Sequence, residues 1–141
     1  NMKRSTTELL SLLKSAGDIN EYLEKNSESF SAEKPCEYLE KIIAEKGLVK
    51  SEIIKKSGIE RHYAYQIFSG RKTPSRDKLI MLCLGMGLDA EESQNLLIKC
   101  ASPVLYAKNK RDNIVIFSLQ NKLSLIEMNE LLFELGLEIF E

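Results

Sequence analysis

Apolar side chains recur every three or four residues along most of this 141-residue chain, in runs separated by Gly, Pro or polar clusters. That spacing predicts helices, because a strand would alternate every second residue. Ser5 with Glu8 opens a first helix carrying Leu9, Leu10, Leu12, Leu13 and Ala16, which Gly17 ends. The Ser…Glu spacing is a capping box: the small side chain accepts from a backbone N–H of the first turn, and the carboxylate reaches back to the cap's own N–H. Asp18 with Glu21 opens a short second helix with Ile19, Tyr22 and Leu23. The polar, Ser-rich stretch from Asn26 to Lys34 reads as a linker.

Tyr38, Leu39, Ile42 and Ile43 then follow at helical spacing up to Gly47. Pro35 fits the first turn of that helix, where its missing N–H has no intrahelical partner to lose. Ile53 and Ile54 lie on a short helix ended by Gly58, and Tyr63, Ala64, Ile67 and Phe68 on the next, ended by Gly70. Arg71-Lys72-Thr73-Pro74 is a basic turn, after which Ser75 caps a helix through Leu79, Ile80, Leu82, Cys83 and Leu84. Asp89 with Glu92 starts a helix holding Leu96, Leu97 and Ile98, which Pro103 breaks. Asp112 to Leu119 and Ser124 to Leu135, with Ser124 paired to Glu127, form a closing helical pair. Ile114-Val115-Ile116-Phe117 comes nearest to a strand, but it is short and lacks turn signals on both sides. The expected fold class is all-α. Residues 1–34 form an N-terminal helical extension and linker, 35–101 a helical domain, and 102–141 a C-terminal helical pair.

Composition narrows the function classes. Hydrophobic residues at 43% and charged residues at 29% are an ordinary mixture for one domain with helical extensions. No apolar run approaches the roughly 20 residues of a membrane span. No signal-peptide core follows the start, and Asn1 ahead of Met2 reads as the remnant of an expression tag. Cys36, Cys83 and Cys100 are odd in number and form no Cys-x-x-Cys, so buried free thiols in a reduced, cytoplasmic protein are expected. His62 is the single histidine and has no second His or paired Cys near it in the chain, so no metal is expected. Gly85-Met86-Gly87 lacks the third Gly of a dinucleotide loop, and no phosphate loop, nucleophile elbow or zinc-protease motif occurs. Neither enzymatic activity nor a cofactor is expected, and no small-molecule effector is indicated.

The net charge of -1 hides an uneven distribution. Residues 46–78 carry nine Lys/Arg against three acids, a net of +6, between flanks of net -3 and -4. A basic centre between acidic flanks marks a local site for a polyanion. The plainer reading is one lysine-rich solvated face.

Within that basic centre, Leu48 to Gly70 reads as two short helices hinged at Gly58. A tight turn between helices needs a residue at positive φ, which only Gly takes without strain. Ile53 and Ile59 can face Ala64 and Ile67 across the hinge, leaving Arg61, His62, Tyr65 and Gln66 outward. This stretch resembles the helix-turn-helix of Cro/cI-type (XRE family) regulators of phages and bacteria, without gaps from Leu48 through Gly70 to Pro74-Ser75. The resemblance covers about half of the chain. It implies a lambda-repressor-like five-helix domain over residues 35–101 and sequence-specific binding of double-stranded DNA in the major groove, with a role in transcription regulation. By position, Arg61, His62, Tyr65 and Gln66 would meet bases, and Lys50, Ser51, Lys55, Arg71 and Lys72 phosphates. Arg can bond guanine O6 and N7 together, and Gln can do the same with adenine N6 and N7. Lysines on phosphates add affinity with little sequence information.

Four positions depart from the family pattern. Val49 stands where Ser or Thr usually caps the second helix, which removes a cap of about 1 kcal/mol. Ile54 and Ala64 exchange the usual small and branched residues. Glu60 stands where Ser or Thr is common; its charge suits a helix start but repels phosphate.

The closing pair is strongly apolar and must bury that surface on the main domain or on a partner. Because paired half-sites one turn of DNA apart demand two-fold symmetry, residues 112–140 are expected to form a homodimer interface, unless they complete the monomer core instead. Asn121 to Glu127 also echoes Lys46 to Glu52, as a decayed second motif or as chance likeness between helical hairpins. The alternative function is a helix-turn-helix scaffold whose acidic extensions bind another protein, antitoxin- or adaptor-like, with weak or no DNA binding.

Overall fold

The computed structural model describes residues 5–15, 19–20 and 34–141 and divides the chain into two compact units, Asn1–Glu33 and Lys34–Glu141. In the first unit, α1 (Thr6–Ser15) starts as expected, with Ser5 Oγ accepting from the Glu8 N–H at 3.2 Å. Ile19 and Asn20 are helical. The rest of the short helix expected from Asp18, the break at Gly17 and the linker up to Glu33 lie outside the described residues.

The second unit consists of α2 (Pro35–Lys46), α3 (Lys50–Ser57), α4 (Arg61–Phe68), α5 (Arg76–Gly85), α6 (Ala90–Lys99), α7 (Lys110–Gln120) and α8 (Leu125–Glu134). No strand occurs among the described residues, and the chain is all-α. Ser75, Asp89 and Ser124 each accept a backbone N–H three residues on, and the last two complete reciprocal capping boxes with Glu92 and Glu127. One start differs from the sequence reading. Asn109 caps α7 by accepting from the Asp112 N–H at 2.9 Å, so this helix begins at Lys110 and takes in the strand-like run Ile114 to Phe117.

The centre of this unit is α5. Leu79 through Cys83 are all buried, as is Gly85, so the helix is enclosed on every side. A helix that is apolar all round is stable only inside a core. Its closest neighbour is α3. A Cβ on Gly85 would lie 2.6 Å from the Ile53 carbonyl oxygen and 3.0 Å from Ser57 Cβ, so the two backbones meet where α5 has no side chain. Ser57 is buried there and satisfied: its hydroxyl donates to the Ile54 carbonyl at 2.8 Å and accepts from the Ile59 N–H at 3.2 Å.

Three helical hairpins share one corner geometry. After α2, α5 and α7 the chain passes through one left-handed residue, and the next residue (Leu48, Leu88 or Leu123) donates its N–H five residues back. This common C-terminal motif turns a leucine inward and starts a new helix two residues later. It is the physical content of the echo between Lys46–Glu52 and Asn121–Glu127.

Helices α7 and α8 belong to the same core as α2–α6. Val115, Leu119, Met128, Leu132 and Phe140 are buried with Leu39, Ile53, Ala64 and Leu82. The apolar surface that suggested a homodimer interface over residues 112–140 is therefore largely covered within one chain. Polar clasps fix the arrangement. The Arg76-Asp77 pair faces Arg111-Asp112, and each Arg binds the other's Asp with two hydrogen bonds of 2.8–3.1 Å. Arg76 also donates to the Pro103 and Val104 carbonyls, and Arg111 stacks on Phe140 at 3.9 Å. Two side-chain amides pair the irregular segments: Gln94 brackets Leu105, and Asn129 brackets Phe140, each by one donated and one accepted backbone bond of 2.7–2.9 Å. Backbone groups outside helices are satisfied in this way.

Two substitutions test this packing. Gly85→Ala drives a methyl into the α3 backbone and should lower stability by about 1–3 kcal/mol in urea unfolding, the ordinary range for overpacking. Gly58→Ala meets the flexible tip of the Leu125 side chain, besides its own φ of +71°, so its loss should be the smaller of the two. Asp112 is 6% exposed, and Asp112→Ala strands Arg76 without its carboxylate, with an expected loss of about 3 kcal/mol in the same assay.

Candidate nucleic-acid interface

The helix-turn-helix unit is α3, the Gly58 turn and α4. Gly58 takes φ +71° at the end of α3, and Ile59 turns inward, 4% exposed. Ile53, Ile54, Ala64 and Ile67 are buried in one core, as the sequence pattern requires. With those side chains inward, the opposite face of α4 carries Arg61, His62 and Tyr65 into solvent. Gln66 is half-buried. Its main-chain carbonyl accepts from the Lys72 N–H at 3.1 Å, which folds the Arg71-Lys72 turn back onto the end of α4. Pro74 is buried behind that turn, and Arg71 and Lys72 are exposed.

A run of stacked groups links the two helix starts. Lys50 Nζ lies 5.6 Å from the Phe68 ring centre, Phe68 packs edge-on to Tyr65 at 6.5 Å, and the Arg61 guanidinium lies 5.9 Å from the Tyr65 ring. Each exposed cation–π contact contributes about 0.5–1 kcal/mol and narrows the positions open to the long side chains. Lys50, assigned to phosphate in the sequence reading, is also ion-paired to Glu40 at 2.6 Å. A phosphate would have to compete with that carboxylate.

The structure also redistributes the local charge of +6. Lys46 pairs with Glu92, Arg76 with Asp112, and Lys78 donates to the Glu141 carbonyl while lying over the Tyr63 ring. These cations tie α2 to α6, α5 to α7, and α5 to the C-terminal segment. Lys56 and Glu52 line a cavity of about 440 Å³ at the meeting of the three corners, walled by Leu48, Leu84, Leu119 and Leu123. Of the nine cations, Lys55, Arg61, Arg71 and Lys72 remain exposed beside the motif with no ion pair to a described residue. Sequence counting could not separate the two sets, because pairing depends on contacts 30 or more residues away, as between Arg76 and Asp112.

The two departures at the helix starts have different outcomes. Val49 leaves α3 with no side-chain cap, and its own side chain is 58% exposed. Glu60 takes over the capping role at α4, accepting from the Tyr63 N–H at 2.7 Å. That bond, with smaller help from the His62 N–H and ring, holds its carboxyl below the usual glutamate range. The carboxylate is therefore charged at the end of α4 that carries Arg61 and His62.

Among the described residues no cluster of His, Cys, Asp and Glu could hold a metal ion. None of the three cysteines is in a disulfide. Only Cys83 is buried, and burial pushes its thiol up to about 12, which makes it inert; Cys36 and Cys100, expected to be buried, are half-buried. No helix among the described residues is long and apolar enough to cross a membrane.

The cap at Glu60 makes a pH prediction. A depressed folded-state pKa stabilises the fold above the unfolded glutamate value, and that contribution disappears as pH falls through the folded value. In an NMR acid titration the Glu60 carboxyl should titrate below the free residue, with the Tyr63 amide shift following the same midpoint. Titration of Glu60 at the free-residue value would remove the cap. Comparison with known protein families, characterised proteins and solved structures finds no match for this chain.

Proposed function

We propose that this chain is a sequence-specific DNA-binding transcriptional regulator of the Cro/cI type, with α4 as the helix that enters the major groove and α2–α6 as its lambda-repressor-like domain. The observation that carries this reading is the two-sided character of α3–α4. Ile53, Ala64 and Ile67 lock one face into the core, while Arg61, His62 and Tyr65 face solvent, flanked by the exposed Lys55, Arg71 and Lys72. Arg61 and His62 stand in the first turn of α4, where a recognition helix meets base edges. Ser51 and Lys55, one helical turn apart, share an exposed face of α3 suited to phosphate oxygens. Paired half-sites would bring two copies together, so the proposal includes a homodimer on its operator.

Two observations favour the second reading, a protein-interaction module with weak DNA binding. The ionised Glu60 at the start of α4 repels phosphate, and Lys50 already has a carboxylate partner.

The experiment is fluorescence anisotropy with random and selected duplexes over a range of salt. Each phosphate contact contributes about -0.9 to the slope of log affinity against log salt. Arg71→Ala and Lys72→Ala should each flatten that slope by about 1 while weakening all sequences alike. Lys50→Ala should do less than either, since Glu40 already holds it. Arg61→Ala should relax base preference by about 1–3 kcal/mol at one position. Failure to bind any duplex at low salt would decide for the interaction module.

A further inference from the structure

The outer face of α8 remains after the core and the DNA-facing surface have been accounted for. At about 100° per residue, Ile126, Glu130 and Phe133 line one strip of this helix, with Glu127 and Glu134 on its flank. Met128 and Leu132 lie on the opposite side and are fully buried, which fixes the outward direction of the strip. Ile126 is 71% exposed and Phe133 is 79% exposed, and Leu135 just beyond the helix is 60% exposed. None of these three takes part in the core that the rest of residues 112–140 complete.

The segment that carries this strip is of one sign, with Lys56 and Lys122 nearby only at its start, where they line the same cavity as Glu127. Residues 123–141 contain five Glu and no Lys or Arg. Glu127, Glu130 and Glu134 are exposed and form no ion pair with a described residue. A second copy packed strip to strip would set these carboxylates against one another, and like charges across an interface oppose association. A membrane surface, itself anionic on its cytoplasmic side, is disfavoured on the same ground. What complements both features is an apolar ridge bordered by positive charge.

We propose that the outer face of α8 is a docking surface for a basic amphipathic helix of another protein, with Ile126 and Phe133 as its apolar anchors and Glu127, Glu130 and Glu134 as its charge partners. Two large side chains one pair of turns apart match the i, i+4, i+7 anchors of such a helix. Buried apolar anchors supply most of the affinity in interfaces of this kind, and the flanking charges supply on-rate and discrimination. The surface does not depend on DNA binding by α4.

The test uses the full chain and a dye-labelled synthetic helical peptide of Leu and Lys, with Leu at i, i+4 and i+7. The same peptide with Glu in place of Lys is the control. Binding is read by anisotropy, and its location by NMR amide shifts. The basic peptide should bind and shift α8 amides, and the acidic peptide should not bind. Ile126→Ser with Phe133→Ser should weaken binding about tenfold or more, with an unchanged melting temperature because both sites are exposed. Glu130→Gln with Glu134→Gln should weaken it at low salt and less at high salt. Equal binding of the acidic peptide, affinity insensitive to the Ile126 and Phe133 changes, or a dimer in light scattering that Phe133→Ser dissolves would each overturn the proposal.

Discussion

The middle of helix α5 has no solvent face, and that constraint organises the other six helices of its unit. Five consecutive residues, Leu79 to Cys83, are buried, so every direction around the helix must be filled. The side occupied by α3 is filled most tightly, because Gly85 lets the α3 backbone approach to within van der Waals range of α5. This contact holds the first helix of the helix-turn-helix against a rigid support. The remaining sides require α7 and α8 as well as α6. A domain ending at α6 would lose Val115, Leu119, Met128 and Leu132 from the shared core, and Leu125 from beside Met81 at the Gly58 turn.

The clasp between Arg76-Asp77 and Arg111-Asp112 shows how the same residue types serve two purposes in one short stretch. Arg71 and Lys72 lie on the exposed turn after α4; Arg76, only a few residues later, is drawn into a paired and half-buried network. Two bidentate Arg–carboxylate pairs in mutual exchange fix the register of α7 against α5 more strictly than apolar packing would, since a shift of one residue leaves a buried Asp112 without its partner. The positive charge of the basic centre is thereby divided between holding the fold and facing outward.

Two surfaces of opposite character result. Around α4 the exposed Arg61, His62 and Tyr65 are cationic or aromatic, ordered by the run from Lys50 through the buried Phe68 and Tyr65 to Arg61, with Glu60 the one carboxylate at the helix start. On α8 they are anionic and aliphatic or aromatic, with no cation among them. Leu125, at the start of α8, packs on Gly58, so the helix carrying the acidic strip begins against the turn of the motif itself. An ion pair between the two surfaces would neutralise both, and among the described residues none occurs.

The sequence alone determined the helices of the second unit, the caps at Ser75, Asp89 and Ser124, and the hinge, because these depend on local signals: Ser or Asp before a helix, Glu three residues in, Gly at positive φ after it. Asn109 carries a signal of the same kind, but Asp112, three residues on, offers an equal one, and only the folded helix shows that Asn109 is the cap. The inward and outward sides of α4 were also legible, because a helical period of 3.6 separates Ala64 and Ile67 from Arg61, His62 and Tyr65 without reference to any other element. Only the tertiary structure decided that α7 and α8 belong to the monomer core, that Lys46, Arg76 and Lys78 are structural cations, and that Ile126 and Phe133 are left outside. Each of those outcomes rests on contacts between residues far apart in the chain, and neither hydrophobic periodicity nor a count of charges carries information about which distant partner a side chain will meet.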